Sequence, residues 1–202
     1  RHRNELIASG YTRIRQVVSQ ELASAVLEQL RANLGVDLSR SDTWDRVRSG
    51  IGGVIPVHHW QSQWNIRQSA ALHAVFSRLW STTALWVSMD RLLFSPPQDE
   101  APTLPLHWDT DPREVPGFYQ ALVYITDAPK ERAAFRVAPD VFGDVPGWLK
   151  RNGYDEPTLA QFDKEEVVSV PGQCGDLIIW DPRLPHGPGL NQDNSPRVAM
   201  PV

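Results

Sequence analysis

The segment Leu106-His107-Trp108-Asp109 contains the residues of this sequence with the clearest chemical potential. Side chains alternate between the two faces of a β-strand, so a strand here would point His107 and Asp109 the same way and Trp108 the other way. One imidazole and one carboxylate supply two of the three ligands in the 2-His-1-carboxylate site of non-heme Fe(II) oxygenases. An H-x-D motif is common by chance, so a metal site needs a third ligand from elsewhere.

His186 is the best candidate for that third ligand. It follows the apolar stretch 175–181 and stands between Pro185 and Gly187, which would hold it stiffly at the end of a strand. The remaining four histidines fit less well: His2, His58, His59 and His73.

Arg197 is a candidate for binding an anion. Turn-forming residues fill positions 188–196, and a hairpin centred between Asn191 and Gln192 would place Arg197 opposite His186 on the neighbouring strand. A guanidinium there could bind a carboxylate through two parallel hydrogen bonds. An arginine that opens an apolar strand needs an anionic partner, although an ordinary salt bridge would also provide one.

The elements that must position these residues change character along the chain. In the first third, Ser19 and Gly35 bound a helix with an apolar residue at every fourth position, and a second helix is expected over 69–80. From residue 84 onwards the pattern predicts seven short strands, rich in β-branched and aromatic residues. They span 84–94, 104–109, 118–126, 133–137, 165–170, 175–181 and 197–202.

These elements predict one mainly β domain over residues 1–202, because a chain of this length is of single-domain size. Residues 1–83 form a mainly helical preamble, and 84–202 form a sandwich or jelly-roll core. A Gly- and Pro-containing insertion near 140–157 is expected to be a long loop with a helical turn, and it could act as a lid.

Composition excludes several classes of protein. The chain has 20 Lys and Arg against 24 Asp and Glu, a net charge of −4, which argues against a nucleic-acid partner. No apolar run approaches the about 18 residues of a membrane span. The single cysteine, Cys174, cannot form an internal disulfide and suits a reducing cytoplasm. The sequence does not determine the oligomeric state.

The ordered set H-x-D, His and Arg resembles the phytanoyl-CoA dioxygenase family of Fe(II)/2-oxoglutarate-dependent oxygenases over most of the chain. The matching segments are 107–109, 119–127, 134–139 and 175–180, followed by His186 and Arg197. The resemblance implies a double-stranded β-helix, a cupin-like jelly roll, with N-terminal helices bracing one sheet. It also implies that His107, Asp109 and His186 bind Fe(II), and that Arg197 pairs with the distal carboxylate of 2-oxoglutarate.

The same resemblance implies that Gln120 lies against the cosubstrate and that Met89 forms part of the same wall. The implied reaction uses O2 to oxidise a small molecule, most simply by hydroxylation, while 2-oxoglutarate is decarboxylated to succinate. Desaturation and ring closure are other possible outcomes. The carboxylate of Asp109 argues against halogenation, because related iron halogenases have a small residue there that leaves room for chloride.

Two alternatives to this reading stay open. One is a cupin-like metalloenzyme that does not use 2-oxoglutarate, and the other is a non-catalytic jelly-roll binding module. Near the site, segment 57–67 is a candidate for the rim of the cavity on the substrate side, a substrate-side lip. Arg67 in this segment, or Arg91 further along the chain, could contact an acidic group of the substrate, although surface salt bridges would explain both arginines equally well. Asp111 shares a strand face with Asp109 but is expected to lie beside the metal site or on the surface.

Overall fold

The computed structural model describes residues 1–47, 51–98, 104–114, 117–157, 160–162 and 167–202. Its nine strands are β1 Tyr11–Ile14, β2 Val54–Ile55, β3 Leu92–Ser95, β4 Gln120–Tyr124, β5 Phe135–Val137, β6 Val168–Val170, β7 Leu177–Trp180, β8 His186–Pro188 and β9 Arg197–Pro201. The α-helices are α1 His2–Ser9, α2 Gln20–Leu34, α3 Gln61–Arg67, α4 Ala70–Trp80, α5 Pro139–Phe142 and α6 Val145–Asn152. Two 3₁₀ helices span Ser41–Arg46 and Ile51–Gly53.

The strands form two antiparallel sheets. The large sheet has six strands in the order β1-β7-β4-β9-β3-β2, and the small sheet has three in the order β6-β5-β8. Side chains from one face of the large sheet, such as Leu122 and Ile178, share a core cluster with Phe135 and Val137 of the small sheet. The arrangement is the jelly roll that the sequence predicted.

The N-terminal helices cover the other face of the large sheet. Val26 and Leu30 of α2 share a second core cluster with Val123 and Ile179, whose side chains point away from the small sheet. The expected limits of α2 are confirmed, because the Ser19 side chain caps its first turn and Gly35 ends it in the left-handed conformation, with φ of 69°. The preamble also provides both edge strands of the large sheet, β1 and β2, which sequence reasoning missed.

Two of the expected strands are wrong in extent. Only 92–95 of the region 84–95 is a strand, and the preceding segment is irregular, with the Trp86 side chain fully exposed. Segment 104–109 is not a regular strand; its His107 makes one antiparallel bridge with His186. The other five predicted strands are present but shorter than expected, and residues 165–166 lie outside the described residues.

The hairpin expected between His186 and Arg197 is also wrong, because β8 lies in the small sheet and β9 in the large one. The connection between them crosses from one sheet to the other. The Asn191 side chain is buried and donates hydrogen bonds to the backbone carbonyls of Ser95 and Ser195 at 2.8 and 3.0 Å. Arg197 is therefore paired in register with Ser95 on β3 rather than with His186.

The insertion 140–157 forms helical structure rather than a long loop. Helices α5 and α6 occupy most of it, and Asp144 caps α6 by accepting a hydrogen bond from the Gly147 N–H. Trp148 and Leu149 are buried in a third cluster with Leu106 and Phe162. Among the described residues, no helix is both long enough and apolar enough to cross a membrane.

Candidate active site

His107, Asp109 and His186 meet in space although up to 79 positions separate them in the sequence. One ligand atom from each lies within 4.8 Å of the others. The Asp109 carboxylate lies between the rings, with Oδ1 3.4 Å from His107 Nε2 and Oδ2 3.2 Å from His186 Nε2. Reciprocal backbone hydrogen bonds of 3.0 Å join His107 and His186, so the two rings are held side by side.

The remaining ring nitrogens fix how the two histidines point. Nδ1 of His107 is 2.9 Å from the Pro105 carbonyl, and Nδ1 of His186 is 2.9 Å from the Leu184 carbonyl. A carbonyl oxygen only accepts hydrogen bonds, so Nδ1 carries the proton in both rings. The two Nε2 atoms are then free to bind a cation, as in metal-binding histidines whose other ring nitrogen donates a hydrogen bond to a carbonyl or carboxylate.

The close approach of these segments needs a glycine next to His186. A Cβ on Gly187 would lie 3.0 Å from the Pro105 carbonyl oxygen, tighter than such contacts normally are. Because glycine has no Cβ, the backbone of the segment that carries His107 can lie directly against β8.

The electrostatics of the site favour an ionised Asp109. Hydrogen bonds with His107 and then His186 outweigh the effect of burial and hold the pKa of the Asp109 carboxyl well below its usual range. Burial lowers the pKa of His107, but its hydrogen bonds with Asp109 and the Pro105 carbonyl more than compensate, so the pKa is raised. A bound cation would take the place of an Nε2 proton, because metal-ligating imidazoles are neutral.

Gln120 and Trp180 extend this cluster. The Gln120 side-chain amide donates a 2.6 Å hydrogen bond to Asp109 Oδ2 and accepts a 2.9 Å bond from the indole N–H of Trp180. The Trp180 ring also lies 5.0 Å from the His186 ring, and the Phe135 ring lies 5.7 Å from it. Aromatic rings thus flank the most buried ligand.

Arg197 reaches the same cavity from the opposite sheet. Its side chain is 3% exposed, and Nη2 donates to Ser95 Oγ at 2.9 Å. Nε has no hydrogen-bond partner, and no carboxylate of the described residues forms an ion pair with the guanidinium. Burial lowers the pKa of Arg197. An anion entering the cavity would supply the partner that a buried guanidinium requires.

One cavity of about 600 Å³ connects the two groups of residues. His107, Asp109 and His186 line it together with Arg197, Gln120 and the aromatic side chains of Phe135 and Trp180. Cavities of this size suit small organic ligands.

A family model described as Phytanoyl-CoA dioxygenase (PhyH) matches residues 8–199. The chain belongs to the phytanoyl-CoA dioxygenase family. The protein is therefore an oxidoreductase that uses Fe(II), 2-oxoglutarate and O2, as the sequence resemblance implied. None of the curated proteins compared with this chain matches it.

Solved structures support the fold of this family member. The carbocyclase SnoK from nogalamycin biosynthesis is 19% identical, with a TM-score of 0.66 over 100% of this chain and 81% of SnoK. The epimerase SnoN, solved with Fe3+, alpha ketoglutarate and nogalamycin RO, is 18% identical, with a TM-score of 0.66 over 99% of this chain and 80% of SnoN. AviO1 from Streptomyces viridochromogenes Tue57 is 18% identical, with a TM-score of 0.65 over 99% of this chain and 91% of AviO1.

Met89 and Asp111 lie away from the centre of this dioxygenase-family site. Met89 is 53% exposed and is not among the described residues that line the cavity, although Ser88 and Asp90 are. Asp111 accepts two-pronged hydrogen bonds from Arg113, which lower the pKa of its carboxyl. It is not part of the His-Asp-His cluster.

The expected substrate-side lip is mostly structural. Arg67 is buried and donates to the backbone carbonyls of His58 and Asp90, so it joins two loops rather than facing the cavity. Neither His58 nor His59 is among the described residues that line the cavity, whereas Arg91 does line it, paired with Asp90.

The helical insertion supports the ligand-bearing segment from behind. Trp108 packs edge-on against Trp148 and Phe162 and donates a 2.8 Å hydrogen bond to the Arg183 carbonyl. Sequence reasoning missed four hydrogen-bond partners that hold the site residues. Three are the backbone carbonyls of Pro105, Arg183 and Leu184, which leave no side-chain pattern in the sequence, and the fourth is the Ser95 hydroxyl.

Proposed function

We propose that this protein hydroxylates a small molecule, with Fe(II) held by His107, Asp109 and His186 and with the distal carboxylate of 2-oxoglutarate paired to Arg197. The observation that carries the proposal is that the cavity joins a converging His-Asp-His set to a buried guanidinium without a carboxylate partner among the described residues.

The residues present fit both groups. Two imidazole nitrogens and one carboxylate oxygen are the donor set of non-heme iron oxygenases. Arg197 lines the cavity without a carboxylate partner among the described residues, and a carboxylate matches the fork of the guanidinium. When bound, iron and 2-oxoglutarate supply the oxidising chemistry, in which 2-oxoglutarate loses CO2 and becomes succinate.

The protein's own part is to orient and to shield. The carbonyls of Pro105 and Leu184 hold the two Nε2 atoms toward a common point, and Ser95 Oγ fixes one arm of the Arg197 guanidinium. Phe135 and Trp180 keep water from one side of His186, which is 4% exposed. Such preorganisation matters because small misplacements of reacting groups cost large factors in rate.

The proposal extends to the setting of the enzyme. Residues 1–202 form one oxygenase domain, which is supported by preamble strand β1 pairing with β7 of the core. The substrate is a small molecule, and the protein has neither a nucleic-acid nor a membrane partner; the net charge of −4 supports the absence of a nucleic-acid partner. A reducing cytoplasm suits the lone Cys174, whose Sγ contacts the Ile125 carbonyl.

The experiment is anaerobic addition of Fe(II) and then 2-oxoglutarate, followed by absorbance spectroscopy and, after O2 is admitted, by succinate measurement. We expect a weak visible charge-transfer band and succinate release. Iron binding without the band or succinate would indicate a metalloenzyme that does not use 2-oxoglutarate. Failure to bind iron would indicate a binding module and contradict the proposal.

A further inference from the structure

The amide of Gln120 lies between Asp109 and Trp180. Its nitrogen is 2.6 Å from Asp109 Oδ2, and its oxygen is 2.9 Å from the Trp180 indole nitrogen. The resemblance to the family implied a different role for Gln120, a contact with the cosubstrate. The observed contacts connect it to a candidate iron ligand.

Trp180 determines which way this amide points. An indole N–H can only donate a hydrogen bond, so the amide oxygen must face Trp180 and the amide NH2 must face Asp109. Gln120 and Trp180 are also direct partners in the register of β4 and β7, so the pair is built on two adjacent strands of the large sheet. The donor aimed at Asp109 therefore has a fixed position and a fixed polarity.

Asp109 needs such support more than the two histidines do. His186 opens β8, and His107 pairs with it through two backbone hydrogen bonds, whereas Asp109 lies outside the strands with a side chain that is 46% exposed. Gln120 donates its hydrogen bond to Oδ2 of Asp109 and makes no hydrogen bond to Oδ1. A carboxylate held in this way offers one oxygen to a cation rather than both.

We propose that Gln120, oriented by Trp180, is a positioning residue that holds Asp109 for metal binding through one oxygen. The inference rests on the proposed iron site and adds to it the residues that set the geometry of its carboxylate. It follows that iron affinity depends on Gln120 and Trp180 even when 2-oxoglutarate is absent, because their contact is with Asp109.

The test is anaerobic titration of Fe(II) into the folded protein without 2-oxoglutarate. Gln120→Met keeps the length of the side chain but removes the donor, and we expect it to weaken Fe(II) binding by about 10- to 100-fold, the usual effect of losing a partner of a metal ligand. Trp180→Phe removes the indole N–H together with part of the ring but keeps an aromatic side chain, and it should weaken binding in the same direction by a smaller factor. The double variant should bind no more weakly than Gln120→Met, because the two residues act in series.

The outcomes separate this inference from the proposed function. If the wild type binds no Fe(II), both fail. If the wild type binds Fe(II) and Gln120→Met binds it equally well but loses 2-oxoglutarate affinity, Gln120 contacts the cosubstrate and this inference alone is overturned. Because Gln120 is at the cavity surface, Gln120→Met decides the question even if Trp180→Phe fails to fold.

A matched control removes an indole hydrogen bond elsewhere. Trp44 donates a 3.1 Å bond to the Asp37 carbonyl in the preamble and is not among the described residues that line the cavity. Trp44→Phe should leave Fe(II) affinity unchanged. Thermal unfolding of each metal-free variant shows whether any loss of affinity follows from general destabilisation, which would also weaken binding in Trp44→Phe and overturn the inference.

Discussion

Two parts of the cavity lining, the triad end and the arginine end, differ in origin, charge and hydrogen bonding. At the triad end, formed by His107, Asp109 and His186, each side chain is oriented by a protein partner. At the arginine end, Arg197 is more deeply buried, and Ser95 is its one side-chain hydrogen-bond partner in the described part of the chain. The first end is attached to the small sheet through β8, and the second belongs to the large sheet.

This difference indicates how each end is prepared for its ligand. The triad end is prearranged for a metal ion, since the Asp109 carboxylate already lies between the rings of His107 and His186. The arginine end is incomplete, since a buried cation without an anion is costly. Arg183 shows the ordinary alternative, because its guanidinium makes a two-pronged pair with Asp181. Arg197 lacks such a pair among the described residues, and this is why we assign it a carboxylate ligand.

The largest effect is expected at the triad end. Asp109→Ala or His186→Ala should reduce succinate formation to background, because two protein ligands bind iron far more weakly than three. Succinate release measures turnover, and circular dichroism checks that the variants stay folded. Near-normal coupled turnover in either variant would show that the ligand assignment is wrong.

The next effect is expected at the arginine end. Arg197→Lys keeps the charge but loses the planar fork, and with it one charge-assisted hydrogen bond. Such a bond contributes roughly 1.5–3 kcal/mol, so 2-oxoglutarate affinity should fall about 10- to 100-fold, while Fe(II) affinity changes much less. Arg197→Ala should lose more.

Cosubstrate titration of the folded variants separates this role from a structural one. A salt-bridge arginine would cost stability and leave the 2-oxoglutarate affinity of the surviving protein unchanged. Small 2-oxo acids without a distal carboxylate provide a second comparison, because they should bind the wild type poorly and gain relative to 2-oxoglutarate in Arg197→Ala.

A smaller effect is expected where the two sheets are joined. Tyr124 of β4 is fully buried; its hydroxyl donates to the Val170 carbonyl and accepts from the Phe135 N–H, each at 2.8 Å, and burial raises its pKa to about 12. Tyr124→Phe leaves that N–H unpaired, so the free energy of unfolding should fall by about 1–3 kcal/mol. Urea unfolding measures the loss, and unchanged Fe(II) affinity would show that the triad end does not depend on this bond.

The smallest effect is expected at Asp111, two residues beyond Asp109 and paired with Arg113 on the surface. Asp111→Ala should keep the wild-type Fe(II) affinity, because its carboxylate belongs to no metal-binding cluster of the described residues. Loss of iron in this variant, measured by the same titration, would mean that the wrong carboxylate was assigned.

Much of the fold could be predicted because its signals are local. Short stretches rich in β-branched and aromatic residues indicated most of the core strands, and the caps Ser19 and Gly35 predicted the ends of α2. The failures have a physical reason as well. In 84–91, apolar residues such as Trp86 and Met89 suggested a strand, but this segment pairs with no strand of either sheet and both side chains are exposed. Pairing with a distant strand, rather than composition, determines whether such a segment forms a strand.

The sequence by itself determined the identities of the candidate ligands. His107 and Asp109 are two positions apart, and a rigid Pro-His-Gly segment contains His186, so residue type and short spacing were enough to select them. Only the tertiary structure decided what surrounds them. The jelly roll, rather than a hairpin, brings Arg197 to the cavity, and β4–β7 pairing brings together Gln120 and Trp180, which are 60 positions apart. Contacts of this kind depend on which distant strands bury each other's apolar faces, and that free-energy balance belongs to the whole chain rather than to any local motif.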